Sequence, residues 1–266
     1  MPLYVNMDRV YDELHDLGIG AKDPIDPERL FPFDQIHYHG TEAVRAAAEA
    51  LRLGRSSRVL DIGSGLGGPA RYLAHTTGCR VTALELQESM HTIASDLTMR
   101  CGLQSRVRHV RCDALEHPLP DAAFDAAVSW LGVHQIPRRP LLFERLAHTL
   151  KPGGHIYLED LGARGAFTAS ELADVRDVLY ASTMTGPDEY DRELRSAGFA
   201  QVDIRDMTAD WAAFCAQRAA AWRASRERHV RVHGEQTYAT LERFFSAVVR
   251  LFEGGHLGGW RIIATC

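Results

Sequence analysis

Residues 59–74, VLDIGSGLGGPARYLA, constrain the fold of this chain more than any other segment. A short apolar run leads into Gly63, Gly65 and Gly68, which are spaced as G-x-G-x-x-G, and a stretch of helical character follows as far as Thr77. Glycines let a ligand approach the backbone closely, and the N-terminus of a helix favours anionic groups. We therefore predict a strand, a glycine-rich turn and a helix that border a ligand site.

The remaining sequence repeats this alternation of strand and helix. Short apolar runs, bounded by glycines and polar residues, alternate with segments of helical length. Such an alternation predicts an α/β fold with a parallel sheet and helices on both of its faces. The predicted strands lie in SRVLDIG, CRVTALEL, SRVRHVRCDA, FDAAVSWLGVHQ, HIYLEDL, AQVDIRDM and GWRIIATC.

Two segments lie outside this alternating core. We predict an N-terminal helical cap over residues 1–50, the core over 51–207, a helical insertion over 208–258 and the last strand over 259–266. Aromatic residues recur at helical spacing in the insertion, from Trp211 to Phe252. These aromatic stripes are interpreted either as packing against the sheet or as a lid over the ligand site, and the two interpretations are compatible.

Composition argues against several classes of partner. The net charge of −5 and the absence of long basic runs predict no binding to nucleic acid. No apolar stretch approaches ~18 residues and the N-terminal residues do not resemble a secretory signal, so we expect no membrane association and a cytoplasmic location. The cysteines are scattered without a C-x-x-C pair, and His37 and His39 lack carboxylate or thiol neighbours at metal spacing. We expect no metal.

Acidic residues at the ends of predicted strands distinguish between classes of nucleotide. Glu85, at the end of the second predicted strand, suits the ribose diol of NAD or of another nucleoside. Asp61 precedes the first glycine by two residues, where a carboxylate would repel a pyrophosphate but accept a hydrogen bond from the ammonium of a bound amino acid. Asp113, after the third strand, adds an acceptor for an adenine amino group. These residues, and the absence of a Tyr-x-x-x-Lys pair, argue against an NAD-dependent oxidoreductase.

The set Asp61-x-Gly63-x-Gly65, Glu85, Asp113 and LKPGG resembles the motifs of class I S-adenosylmethionine-dependent methyltransferases. The resemblance implies a Rossmann-like, seven-stranded, mostly parallel sheet whose final strand forms an antiparallel edge. It also implies S-adenosyl-L-methionine as cofactor and S-adenosyl-L-homocysteine as product. The cofactor-binding residues that it implies are Asp61, Gly63, Ser64, Gly65, Glu85, Leu86, Asp113, Ala114, Ser129 and Trp130. Simple packing within the strand is the alternative for Trp130.

The flanks narrow this resemblance. FPFDQIHYHGTEAV, upstream of the core, and the helical insertion before the last strand look like those of phosphoethanolamine, sarcosine/dimethylglycine and geranyl diphosphate C-methyltransferases. In such enzymes the segment before the first core helix closes over the methionine end of the cofactor, which implies a cofactor-binding role for His39 and Thr41. The alternative is that Thr41 only caps a helix, and the two roles are compatible.

Methyl transfer from a sulfonium depends mainly on alignment and on a dry site, and a base is needed only when the nucleophile arrives protonated. His134, after the fourth strand, lies where the resemblance implies a base histidine; a structural loop histidine is the alternative. Glu159 and Asp160 end the fifth strand, and because neighbouring strand residues point to opposite faces we select Glu159 as a second candidate base. Tyr38 is a third catalytic candidate, from the N-terminal cap.

The sequence therefore predicts methyl transfer to a nitrogen or carbon nucleophile of a small molecule, in specialised-metabolite biosynthesis, by a monomer or homodimer. O-methylation of a small phenol and a catalytically silent S-adenosylmethionine-binding protein remain alternatives. Methylation of nucleic acid or protein is disfavoured because the chain has no NPPY-type motif and no basic surface. Arginines between Arg218 and Arg231 form a basic stretch, read either as a solvated helix face or as a site for a carboxylate or diphosphate.

Overall fold

A seven-stranded sheet organises residues 6–266, the part of the chain that the computed structural model describes. Residues 1–5 of the predicted N-terminal cap lie outside the described residues. The strands are β1 (Arg58–Ile62), β2 (Arg80–Glu85), β3 (Val107–Arg111), β4 (Phe124–Trp130), β5 (Leu150–Ala163), β6 (Gln201–Asp206) and β7 (Leu257–Thr265). The helices are α1 (Arg9–Asp16), α2 (Pro27–Asp34), α3 (Gly40–Ala50), α4 (Gly68–Thr77), α5 (Glu88–Arg100), α6 (Arg139–Thr149), α7 (Ala169–Asp177), α8 (Pro187–Ser196), α9 (Thr208–Ala224), α10 (Arg226–His233) and α11 (Glu235–Glu253).

The strand order is β3-β2-β1-β4-β5-β7-β6, and β7 runs antiparallel to both of its neighbours. This confirms the predicted seven-stranded, mostly parallel sheet, but the prediction that the final strand forms the edge is wrong. Most of β7 is buried, which requires neighbours on both sides, whereas the polar sequence QVDIRD of β6 leaves alternate residues exposed. A polar strand tolerates the edge position that an apolar one does not.

Helices cover both faces of the sheet, as predicted. Leu60 and Ile62 of β1 belong to a core that includes Phe143 of α6, and the intervening side chains of the sheet face α3 and α4 on the other side. Val59 lies in this second core together with Leu73. Alternate residues of β1 thus enter opposite cores, as the pleat of a strand requires.

The caps pack around the carboxyl ends of the parallel strands. In the N-terminal cap, Val10 and Leu30 share a core with Leu97 of α5. The insertion forms α9, α10 and α11, and Trp211 of α9 packs in a core that also contains Val175 of α7. The predicted core range 51–207 therefore includes a segment, α7, that packs with the insertion. No helix among residues 6–266 is long and apolar enough to cross a membrane.

The junction between the N-terminal cap and the core differs from the predicted helix cap. His39 is the N-cap residue of α3, in the left-handed conformation with φ of 56°, and the helix begins at Gly40. Thr41 lies inside the helix, so the interpretation of Thr41 as its N-cap is wrong. The left-handed turn at His39 instead sets the direction of the chain between α2 and α3.

Candidate functional site

A cavity of about 1200 Å³ lies at the carboxyl ends of the central parallel strands, beneath both caps. Its position is the one where open α/β sheets bind ligands. The sequence-predicted residues in its wall are Tyr38, Asp61, Gly63, Ser64, Gly65, Glu85, Leu86, Asp113, Ala114, Trp130 and His134. The predicted residues His39, Thr41, Ser129 and Glu159 do not line this cavity.

The glycine-rich turn forms one wall of the cavity. Gly63 and Gly65 have φ of 67° and 54°, a left-handed conformation that side chains other than glycine rarely adopt. The Ser64 amide donates to the carbonyl oxygen of Leu84 at 2.9 Å, which ties the turn to β2. A ligand at this wall thus meets bare backbone held in a fixed shape.

The third glycine of the fingerprint, Gly68, has a packing role. A Cβ atom built at Gly68 would overlap the backbone carbonyl of Asp34 at the end of α2. We expect Gly68→Ala to cost about 1–3 kcal/mol of unfolding free energy, because the backbone of α2 or of α4 must shift to admit the methyl group. Urea unfolding measures this cost. The matched control is Gly54→Ala, whose added methyl group meets no atom within 4 Å; equal stability of the two variants would contradict the packing role.

Asp61 is a buried carboxyl group that faces the cavity. Its Oδ2 atom has no hydrogen-bond partner among the described residues, and neither has the buried Ser64 hydroxyl. Burial, and then the charge of Glu85, raise the pKa of Asp61 to about 8. Buried polar atoms are normally satisfied, so two orphans on one cavity wall indicate a polar ligand at that place.

Glu85 and Asp113 lie farther along the same edge of the sheet. The Glu85 carboxylate accepts hydrogen bonds from the amides of Gly65 at 2.8 Å and Gln87 at 2.7 Å, and burial raises its pKa. Asp113 accepts from the amide of Leu115 at 2.8 Å. Both carboxyl groups are therefore held by local backbone at the ends of β2 and β3, with the cavity beside them.

Trp130 and its neighbour Ser129 have different surroundings at the end of β4. The Trp130 ring lines the cavity and stacks on His37, with ring centroids 5.6 Å apart, and its buried indole nitrogen has no hydrogen-bond partner among residues 6–266. Ser129 donates to the carbonyl oxygen of Ile62 at 2.7 Å. This bond joins β4 to β1 behind the glycine turn, so Ser129 supports the cavity wall from outside.

His39 and Thr41 line a second, more open cavity of about 920 Å³ beside α2 and α4. His39 Nε2 lies 2.8 Å from a carboxylate oxygen of Asp210 on α9. The same segment brings His37 and Tyr38 to the main cavity instead. Burial lowers the pKa of His37 to about 4, so this residue presents a neutral imidazole there at neutral pH.

His134 lines the main cavity and belongs to a buried chain of hydrogen bonds. Its Nδ1 atom lies 2.6 Å from Asp160 Oδ1, and the Tyr190 hydroxyl donates to Asp160 Oδ2 at 2.6 Å. His134 is 2% exposed, and Asp160 and Tyr190 are fully buried. Tyr190 was not predicted; its only sequence signal is the apolar spacing with Leu194 on α8, which indicates burial but no partner.

Glu159 faces away from the cavity, because β5 continues past it to Ala163 and the side chains alternate. Its Oε1 atom accepts from the Tyr157 hydroxyl at 2.8 Å and from Arg261 of β7 at 2.8 Å. The selection of Glu159 over Asp160 is therefore corrected: Asp160 is the member of the pair that reaches the site, through His134.

The arginine-rich stretch serves mainly to join the caps. Arg228 contacts Glu13 and Asp16 on α1, and Arg231 contacts Asp16. In the described part of the chain, Arg218 contacts aromatic side chains and no carboxylate, whereas the other arginines of this stretch, Arg223, Arg226, Arg228 and Arg231, are each paired with a carboxylate.

Among residues 6–266, one group of side chains has the chemistry of metal ligands: Glu13 of α1 with His229 and His233 of α10. Their ligand atoms lie within 4.8 Å of one another. The i, i+4 spacing of the histidines in HVRVH is the sequence signal for this pair. Glu13 is bound by His233 at 2.8 Å and by Arg228, so the group functions in this structure as an ionic contact between the caps.

Comparison with known proteins gives consistent matches. Residues 60–158 match the family model described as a methyltransferase domain. A glycine/sarcosine/dimethylglycine N-methyltransferase from Actinopolyspora halophila is 29% identical over 66% of this chain and 31% of its own length. The 27-O-demethylrifamycin SV methyltransferase of Amycolatopsis mediterranei is 30% identical over 74% of each chain.

Among solved structures, the chain resembles phosphoethanolamine N-methyltransferase 2 of Haemonchus contortus in complex with phosphomonomethylethanolamine and S-adenosylhomocysteine. The TM-score is 0.83 at 19% identity, over 98% of this chain and 57% of that chain. This chain thus spans less than two thirds of the length of the Actinopolyspora and Haemonchus proteins. The comparison confirms the predicted fold.

Proposed function

The chain belongs to the class I S-adenosylmethionine-dependent methyltransferases, and we propose that it transfers the methyl group of this cofactor to a nitrogen or carbon nucleophile of a small molecule. One observation carries the proposal. The row of polar groups at the strand ends shares a single cap-covered cavity with His134, whose imidazole is held by Asp160. This cavity thus has room for a nucleoside and an acceptor beside a candidate base.

The residues of the cavity fit the cofactor. Asp61 and Ser64 have buried polar atoms with no hydrogen-bond partner among residues 6–266, where the amino-acid end of the cofactor needs acceptors. Glu85 would hold the ribose and Asp113 the adenine, and the bare backbone at Gly63 and Gly65 leaves space beside them. When bound, S-adenosylmethionine supplies an electrophilic methyl group on a sulfonium.

His134 is the base in this proposal, with Asp160 and Tyr190 as positioning residues. A carboxylate that accepts from Nδ1 fixes the tautomer in which Nε2 carries the lone pair. Nε2 then takes a proton from the acceptor as its nucleophilic atom gains the methyl group. Asp160 stabilises the imidazolium that forms and keeps its own charge, as the carboxylate of a Ser-His-Asp triad does.

This buried network also argues against a catalytically silent binding protein. Removing a carboxylate from water costs free energy, which hydrogen bonds at best offset. Replacement of buried ionic groups by well-packed apolar side chains of similar volume is often neutral or stabilising. A buried His-Asp-Tyr chain that ends at a cavity is therefore better explained by proton transfer than by structure alone.

Substitution of His134 tests the proposal. With an acceptor identified by screening small amines, phenols and activated carbon acids against radiolabelled S-adenosylmethionine, we expect His134→Gln to lower kcat by about 10²- to 10⁴-fold. Calorimetric affinity for S-adenosylhomocysteine should stay within about twofold, since the cofactor residues are untouched. His148→Gln, an exposed histidine on α6, is the control. Unchanged turnover in His134→Gln would remove it as the base.

A further inference from the structure

Arg218 of α9 lies in the wall of the main cavity inside a group of aromatic rings. Its guanidinium carbon is 4.8 Å from the ring centroid of Phe245, 5.2 Å from that of Tyr38 and 5.3 Å from that of Phe214. Tyr38 comes from the N-terminal cap and Phe245 from α11, so Arg218 is located where the caps meet. Stacking holds the plane of the guanidinium and leaves its N–H groups free to point at a ligand.

The charge of Arg218 has no counterion in the described part of the chain. No carboxylate among residues 6–266 lies within ion-pair distance of it, and its buried Nε atom has no hydrogen-bond partner there. Arg223, five residues further along α9, is by contrast paired with Glu242 at 3.0 Å. A buried, unpaired donor is costly, and it indicates a missing acceptor.

A second cation lies close by. Arg9 lines the same cavity, and burial lowers its pKa; the Glu13 carboxylate opposes this, and the charge of Arg218 lowers the pKa further. Glu13 is itself engaged by Arg228 and His233. The cap side of the cavity also has carboxylates, at Glu13, Asp174, Asp177 and Glu242, but each of them is paired with an arginine other than Arg218 or Arg9.

We propose that the methyl acceptor carries an anionic group, a carboxylate or a phosphate, that binds to the guanidinium of Arg218 with Arg9 as a nearby second cation. This inference rests on the proposed function and names the substrate class of the same cavity. Planar guanidinium groups bind both oxyanions through paired N–H donors. The anion would restore the missing hydrogen bonds and balance the charge.

Binding of simple anions tests the site without any turnover. Inorganic phosphate, followed by ³¹P line broadening, and ¹³C-labelled acetate are titrated into protein saturated with S-adenosylhomocysteine at physiological ionic strength. We expect Arg218→Gln to weaken binding of the preferred anion about tenfold or more. The matched control Arg223→Gln removes an exposed arginine from the same helix and should change binding less than about twofold. The two probes distinguish a phosphate from a carboxylate site.

The variant Arg218→Lys distinguishes the loss of paired N–H donors from a loss of structure in Arg218→Gln. It keeps the charge but not the paired donors, so its affinity should lie between those of the wild type and Arg218→Gln, with unchanged affinity for S-adenosylhomocysteine. Equal anion binding by wild type and both Arg218 variants, or no binding of either anion to the wild type, overturns the inference.

Paired acceptors separate this inference from the proposed function. Each acid or phosphate ester found in the screen is compared with its uncharged amide or alcohol. A preference for the charged member of about tenfold or more in kcat/KM, lost in Arg218→Gln, supports the inference. Equal methylation of both members overturns the inference while the proposed function stands. Arg218-dependent anion binding without methyl transfer to any acceptor would support the anion site and refute the proposed function.

Discussion

The substitution Asp61→Asn is expected to weaken S-adenosylmethionine binding by about 10- to 100-fold, which is the effect of losing a hydrogen bond to a charged group. The same Asp61→Asn change should make the ligand-free protein more stable at pH 8. Both effects have one cause: Asp61 is a buried carboxyl group whose Oδ2 atom has no partner among the described residues. The negative charge of Asp61 stabilises a bound cation, but it destabilises the ligand-free fold.

The pH dependence follows from the direction of the pKa shift. The pKa of Asp61 rises from its ordinary value of 3.8 to about 8 in the folded chain. Between these values the folded state holds a proton that the unfolded state has released, so this group's contribution to stability falls as pH rises from about 4 to about 8. Thermal unfolding of ligand-free protein between pH 5 and 9 should show this slope in the wild type and a flatter curve in Asp61→Asn.

Proton release on binding gives a second readout. Because a cationic ligand favours ionised Asp61, binding at pH 7 should release a large fraction of one proton, which calorimetry detects as a dependence of binding heat on the buffer. Asp61→Asn should show none from this group. Asp203→Asn, an exposed strand residue on β6, is the control and should leave affinity, proton release and stability unchanged. Wild-type affinity for S-adenosylmethionine in Asp61→Asn would contradict the assignment of Asp61 to the cofactor site.

Arg71→Met should cost about 3–5 kcal/mol of unfolding free energy, as expected when one partner of a buried ion pair is removed. Arg71 and Asp34 are fully buried, and Arg71 donates to Asp34 Oδ2 at 3.1 and 2.9 Å. It also donates to Thr98 Oγ1 at 3.0 Å and to the Ala94 carbonyl at 3.1 Å. One side chain thus joins the N-terminal cap, the helix after the glycine turn and α5.

Denaturant unfolding measures this loss, and two further variants interpret it. Arg45→Met removes an exposed ion pair with Glu49 and should change stability by less than about 1 kcal/mol. Arg71→Met combined with Asp34→Leu should recover part of the loss, because the double variant no longer buries an unpaired carboxylate. A loss of less than about 1 kcal/mol of unfolding free energy in Arg71→Met alone would contradict the proposed role of Arg71 in joining the N-terminal cap to α4 and α5.

Local signals were sufficient to predict the strands and to bring the acidic residues of the strand ends to one cavity. The glycine spacing and the acidic residue near the end of each of the first three strands are fixed by geometry within a few residues, and the structure brings Asp61, Glu85 and Asp113 to one cavity. The parallel sheet guarantees this, because equivalent strand ends meet at one edge. The role of each residue in binding stays a proposal.

The acceptor side depended on distant contacts that no local pattern contains. Alternation along β5 correctly limited the site to one of Glu159 and Asp160, but the choice was decided by Arg261 on β7 and Tyr190 on α8. His39 lies outside the main cavity, at a left-handed turn of the backbone. This conformation is uncommon for a residue other than glycine. Such a turn cannot be read from HYHG.

The interior position of β7 has a consequence for how the chain is made. Residues 207–256 separate β6 from β7, and β7 is the strand that pairs with both β5 and β6. During synthesis, β6 and the outer edge of β5 therefore lack their partner strand β7 until the cap helices have been made. Unpaired edges invite association between chains. The charged and polar side chains along β6 then oppose such association in the nascent chain, before the ligand cavity has formed.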